Sequence, residues 1–282
     1  MQVKNRPLFT CAPSSRLPPP PGRGQAGSLR GLSHAMTSSS YQIIVRNFSQ
    51  TTQYFYVFQK QAAFPLLPSP GLVFSGSLGC QSIGNYASSG AQVNFSLDSQ
   101  VYAGAFSTKQ AASPSQLIAL LSLNAATLSV VGSTSAFRPV TLTTVDGSPD
   151  NCTTLTLDPL GLSAPANQAG IAIGGFGMNV PSYTPLPHPE LYCGVVALNN
   201  NQAVILSSFV APVPNAVMNC IPKQIFFVKM GYQPVGSTVA YDESNSACCD
   251  FTMGYAAYTV TYKADGTFRR QEDHRPRDPD HH

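Results

Sequence analysis

"AQVNFSLDSQVYAGAF", residues 91–106, decides the fold class. Val93, Phe95 and Leu97 alternate with Gln92, Asn94 and Ser96, the two-residue period of a strand with one wet face. Asp98-Ser99 breaks the run, and "VYAGAF" resumes it at once. Working outward, "QYFYVFQK" (53–60) is apolar on both faces between Tyr54 and Phe58, which predicts a central strand covered on both sides. "YQIIVRN" (41–47) precedes it. "PVTLTTV" (139–145) and "TTLTL" (153–157) alternate Val or Leu with Thr, and Asp146-Gly147 marks a turn between them. "VVALNNNQAVIL" (195–206) reads as a hairpin with Asn199–Asn201 at its tip. "QIFFVKMGY", "GSTVAYD", "CCDFTM" and "AAYTVTYKADG" complete about fourteen strand candidates.

Helical periodicity is found at most over 115–124, "SQLIALLSLN". Many short strands with regular turns predict an all-β fold, an antiparallel β-sandwich or double β-sandwich. No period of 20–50 residues repeats, which argues against a propeller. Two proline-rich stretches, 61–71 ("QAAFPLLPSPG") and 175–190 ("GFGMNVPSYTPLPHPE"), are expected as long loops of the kind that line sites. The expected organisation is a disordered tail or mispredicted start over 1–40, an all-β domain over 41–268, and a charged, disordered tail over 269–282.

Only 10% of the 282 residues are charged. The net charge of +3 misleads, because residues 1–35 hold five bases and no acid, whereas 36–264 hold seven bases and eight acids. A nearly neutral body cannot neutralise many phosphates, so nucleic acid is rejected as a partner. The run "LIALLSLNAATLSVV" (117–131) is too short and too polar to span a bilayer, and no membrane span is expected. The start lacks the apolar core of a secretory signal, and Met36 would lead straight into a strand. A cytoplasmic location is the default expectation; a corrected gene start would reopen secretion.

The seven cysteines include no C-x-x-C pair. Cys248 and Cys249 are neighbours in a strand-like run, so their side chains should point to opposite faces and serve as small apolar fillers. Zinc would need histidine partners at suitable spacing, and the body holds His188 alone; no metal and no cofactor are expected. No G-x-S-x-G elbow is present. "IAIGGFGM" lacks the spacing of a phosphate loop, and its glycines are read as places where another backbone comes close. The sequons at Asn47, Asn94 and Asn151 are unsurprising in a chain this rich in Asn, Ser and Thr.

The order of segments carries a resemblance. An aromatic strand leads to Gly231-Tyr232 and Gly236, then to Asp250-Phe251-Thr252, then to a hairpin at Ala264–Thr267. Over about 41–268 this resembles a fungal family of small all-β proteins. Some members are hetero-Diels–Alderases of tropolone–sesquiterpenoid biosynthesis, and others have no assigned activity. The stretch 110–135 departs from the family as an insertion, and no catalytic residue of the family can be mapped. The resemblance implies a small-molecule-binding protein of secondary metabolism, with a hydrophobic substrate and cycloaddition in an apolar pocket. Such chemistry needs register and a few donors rather than a nucleophile. The candidate catalytic donors are Arg138, Lys229 and Tyr232, and the candidate ligand-binding residues are Phe176, Tyr183 and His188. The alternative is a lectin-like or other non-enzymatic binding module, recognisable by polar amides and exposed aromatics on a shallow face.

Overall fold

The computed structural model describes residues 40–65, 72–107, 134–184, 191–201 and 203–273. The expectations for residues 1–39 and 274–282 of the two tails, for 115–124, for 117–131, for most of the 110–135 insertion and for His188 lie outside these residues. The described chain is built almost wholly from strands, as the alternation predicts, and they form a double sandwich.

The first sandwich uses the strands that open and close the chain. β1 (Ser40–Asn47), β4 (Gln92–Asp98), β16 (Ala257–Tyr262) and β17 (Phe268–Asp273) form a four-stranded sheet in the order β17-β16-β1-β4. It packs on one half of a large sheet, where β15 (Ser246–Asp250), β13 (Ile225–Met230), β2 (Gln53–Gln59) and β3 (Phe74–Ile83) lie side by side. The strands of this half are two-faced. Phe55, Val57, Phe226, Val228 and Cys249 face the core shared with Ile43, Val45, Phe95 and Val260. Their neighbours Phe58 and Phe227 form a second cluster on the outer face. That is the arrangement read from the doubly apolar run at 54–58. A strap from Gly231 to Asn245 covers the outer cluster, with Val239 of β14 (Thr238–Val239) and Tyr241 packed against it.

The other half of the large sheet continues through β11 (Val204–Val210), β10 (Leu191–Leu198), β5 (Tyr102–Ser107) and β6 (Thr134–Pro139). A third sheet, in the order β12 (Ala216–Cys220), β9 (Phe176–Val180), β7 (Cys152–Leu157) and β8 (Leu160–Leu162), packs on it. The second core includes Ala103, Leu155, Phe176, Met178, Cys193 and Val195. Burial of a Phe or Leu of this kind contributes roughly 1.5–3 kcal/mol each.

Several elements differ from the sequence reading. Residues 175–190 are not all loop: β9 pairs antiparallel with β12 and parallel with β7, and the absence of a side chain on Gly177 lets Cys152 and Ile171 close over it. "PVTLTTV" is not a strand after Pro139, although a turn does occupy 145–146. "CCDFTM" is strand only to Asp250. The Asp250 carboxylate then accepts from the Thr252 backbone N–H at 3.0 Å and caps a 3-10 turn over Phe251–Met253. β17 carries the domain to Asp273, past the boundary expected at 268. Its charges are those of an edge strand, and Arg270 both lies over the Tyr258 ring and donates to the Cys248 carbonyl at 2.7 Å. Most strand pairs are antiparallel; β1 with β16 and β7 with β9 are parallel.

Candidate functional site

Cys248 and Cys249 face opposite sides of β15. Cys249 is fully buried against β13 and β16, whereas Cys248 points to the outer cluster. Burial raises the Cys249 thiol to about 12, the value of an inert core residue. Among the described residues no group of three His, Cys, Asp or Glu could hold a metal ion.

The sequence-predicted residues are scattered. Arg138 lies on the edge strand β6 and donates from Nε to the Leu162 carbonyl at 3.1 Å. Lys229 is on β13, one strand in from the edge, half-buried, and its Nζ meets Asp242 Oδ2 at 2.5 Å. Its stem runs along the sheet beside Tyr56 while the ammonium reaches out to the strap. Tyr232 is 67% exposed and stands edge-on to Tyr54, with ring centroids 5.1 Å apart. Tyr183 packs on the second core and donates its hydroxyl to the Pro212 carbonyl. Burial raises its pKa to about 12. Phe176 is wholly buried in the second core. Arg138, Lys229, Tyr183 and Phe176 are thus engaged in structural contacts, and none of the five described candidates lines the apolar cleft below.

What the fold does assemble is an aromatic cleft on the outer face of the second half-sheet. Phe106 of β5, Tyr192 of β10 and Phe209 of β11 come together because these three strands are neighbours in the sheet. Tyr192 stands at 85° to Phe209 with centroids 5.7 Å apart, and Phe74 of β3 stacks on Phe209 at 5.4 Å. Edge-to-face packing of this kind fixes ring orientation. Ile205, Leu206 and Thr238 complete an open cavity of about 80 Å³. Among the described residues no charged side chain lines it.

Tyr192 and Thr238 are the polar residues of the described lining. Tyr192 is 6% exposed and lines the cleft; its hydroxyl is not one of the buried polar atoms without a partner, which among the described residues are the hydroxyls of Ser75 and Ser148. Burial is the sole cause raising the Tyr192 pKa. A phenol can both donate and accept, so Tyr192 brings a polar group to a mostly apolar lining. The signal that could have found it was there in "LYCGVVAL": one tyrosine in a run whose every residue is buried.

Comparison with family models, with curated proteins and with solved structures gives no match.

Proposed function

We propose that the protein binds a small, neutral, largely apolar molecule in the cleft between Phe106, Tyr192 and Phe209, without a cofactor. The observation that carries this reading is the aromatic lining of the cavity by Phe106, Tyr192 and Phe209, with a phenol among otherwise mostly apolar side chains. Ligand sites are commonly concave and apolar with one or two polar groups that fix orientation. The volume bounds the ligand. A closed apolar cavity of about 150 Å³ holds a benzene ring, so an open one of about 80 Å³ seats part of a ring or the branched end of an isoprenoid, with the remainder outside.

The resemblance to the fungal family points to the same ligand class, polyenes and tropolone-like rings. If the chain runs the family's cycloaddition, the donor at the cleft is Tyr192, because Arg138 and Lys229 hold Leu162 and Asp242 instead. The test is a thermal-shift screen of the full chain against tropolone-like and terpenoid compounds beside simple sugars. A ligand specific to the folded state raises Tm with concentration. The expected result is a rise with the apolar set, reduced in Tyr192→Phe. No rise with any apolar compound, or an equal rise in Tyr192→Phe and wild type, removes the cleft as the site.

A further inference from the structure

A second cleft has the opposite chemistry. It opens where β3, β4 and the tip of the β10–β11 hairpin meet, has a volume of about 130 Å³, and is lined by Gln81, Asn94, Asn199, Asn200, Asn201 and Val235 among others. Among the described residues no Lys, Arg, Asp, Glu or His lines it. We propose that it is a binding site for a neutral polyhydroxylated ligand, a saccharide.

Among the described residues, five side-chain amides line the cleft. Two of them build the wall. Asn199 Oδ1 accepts from the backbone N–H groups of Asn201 and Ala203 at 3.0 and 3.1 Å, and its Nδ2 donates to the Leu78 carbonyl at 3.3 Å. Asn200 Oδ1 accepts from the Ser96 backbone N–H, and its Nδ2 donates to the Asn94 carbonyl at 2.9 Å. These bonds fix the hairpin tip against the edge of β4. The remaining polar groups have no such work. The side-chain amides of Gln81 and Asn201 are exposed and make no hydrogen bond among the described residues. Asn94 gives Nδ2 to Gln42 at 2.5 Å, and its Oδ1 accepts no hydrogen bond among the described residues. The cleft therefore presents two amides able both to donate and to accept, and one further acceptor, from two strands and a pinned turn. A carboxamide matches the mixed donor and acceptor character of a sugar hydroxyl. Val235, 47% exposed at the rim, offers an apolar surface for the C–H face of a pyranose ring. An anionic ligand would find no cation here, and a purely apolar one would strip the amides of water without return.

This site is separate from the aromatic cleft and does not depend on it. The test uses the full chain, labelled with ¹⁵N, titrated with glucose, galactose, mannose and N-acetylglucosamine into the millimolar range. The expected result is saturable movement of the Gln81 and Asn201 side-chain NH₂ signals with at least one sugar. Each hydrogen bond lost is expected to weaken binding by about tenfold, so Gln81→Ala and Asn201→Ala should each do so at unchanged Tm. Both residues are exposed and bear no structural bond, so the variants report on binding rather than folding. No movement with any sugar, or movement confined to Phe106, Tyr192 and Phe209, overturns the proposal.

Discussion

Lys229 holds Asp242 across the outer face of the large sheet, with Nζ 2.5 Å from Oδ2. The contact pins the strap that covers Phe58 and Phe227. The Lys229 ammonium and then the Ser244 hydroxyl hold the Asp242 carboxyl well below the usual carboxylate range. Glu243 is lowered too, first by the Tyr241 hydroxyl and then by Lys60. A carboxyl whose pKa is depressed in the folded state stabilises that state above its unfolded pKa. The stabilisation is lost as pH falls through the folded one. The strap should therefore loosen in acid, below about pH 4. Urea midpoints measured across that range should fall with pH in the wild type, and Asp242→Asn should flatten the fall. An unchanged acid limb in Asp242→Asn would show that the pair is solvated in solution.

Asn47 is a sequon residue that acts as a core strut. It is fully buried, donates from Nδ2 to the Thr51 and Ile83 carbonyls at 2.9 Å each, and accepts from Ser49. Asn47→Ala would leave the buried Ile83 carbonyl without this partner, costing about 1–3 kcal/mol. Asn94→Ala, at an exposed sequon on β4, should fall within about 0.5 kcal/mol of wild type. Denaturant midpoints of the two variants check the contrast, and equal midpoints would refute it.

The alternating and doubly apolar strands were legible because burial there repeats the sequence period residue by residue. Val93, Phe95 and Leu97 point into the first core, and Cys248 and Cys249 divide between two faces. The hairpin tip at Asn199–Asn201 was legible from its run of turn formers. β9 was hidden because its glycines and flanking prolines resemble loop, and its pairing partners, β7 and β12, are distant in sequence. β17 was hidden because an edge strand can be almost entirely charged. The aromatic cleft was illegible for a related reason. Phe106, Tyr192 and Phe209 become neighbours only through the order β5-β10-β11, which no local pattern encodes. Of the three donors read from sequence, Arg138 and Lys229 are charged, and in a chain this poor in charge they hold the Leu162 carbonyl and the Asp242 strap, whereas Tyr232 stands exposed against Tyr54.

Two glycines separate backbone contact from side-chain contact. A Cβ on Gly194 would fall on the Ser208 carbonyl and lie 2.7 Å from Phe209 Cα, so β10 and β11 would have to part. A Cβ on Gly161 would meet the Thr156 hydroxyl at 2.9 Å, and that side chain can turn away. Gly194→Ala should therefore cost at least the 1–3 kcal/mol (about) of an overpacked core. Gly161→Ala should stay within about 0.5 kcal/mol of wild type. Thermal denaturation of both distinguishes them.

The thiols should divide by burial. Cys152, Cys193, Cys220 and Cys249 are buried, and burial raises each of their pKa values. Cys80 and Cys248 are partly accessible; partial burial raises the Cys248 thiol as well, so access rather than acidity separates it from the buried four. Alkylation requires both the thiolate and access to it. Native protein treated with iodoacetamide at pH 8 (about) should thus be modified at Cys80 and Cys248 and spared at the four buried sites, which react only when denaturant is added. Peptide mass spectrometry reads each site. Cys249 gives the sharper test of the two-faced strand. Cys249→Ser places a hydroxyl among Phe226, Val228 and Val260 with no partner assured, at a cost of about 1–3 kcal/mol. Cys248→Ser, on the half-exposed outer face, should be nearly neutral. Equal losses in the two variants, or native labelling of Cys249, would mean that β15 does not present its cysteines to opposite faces.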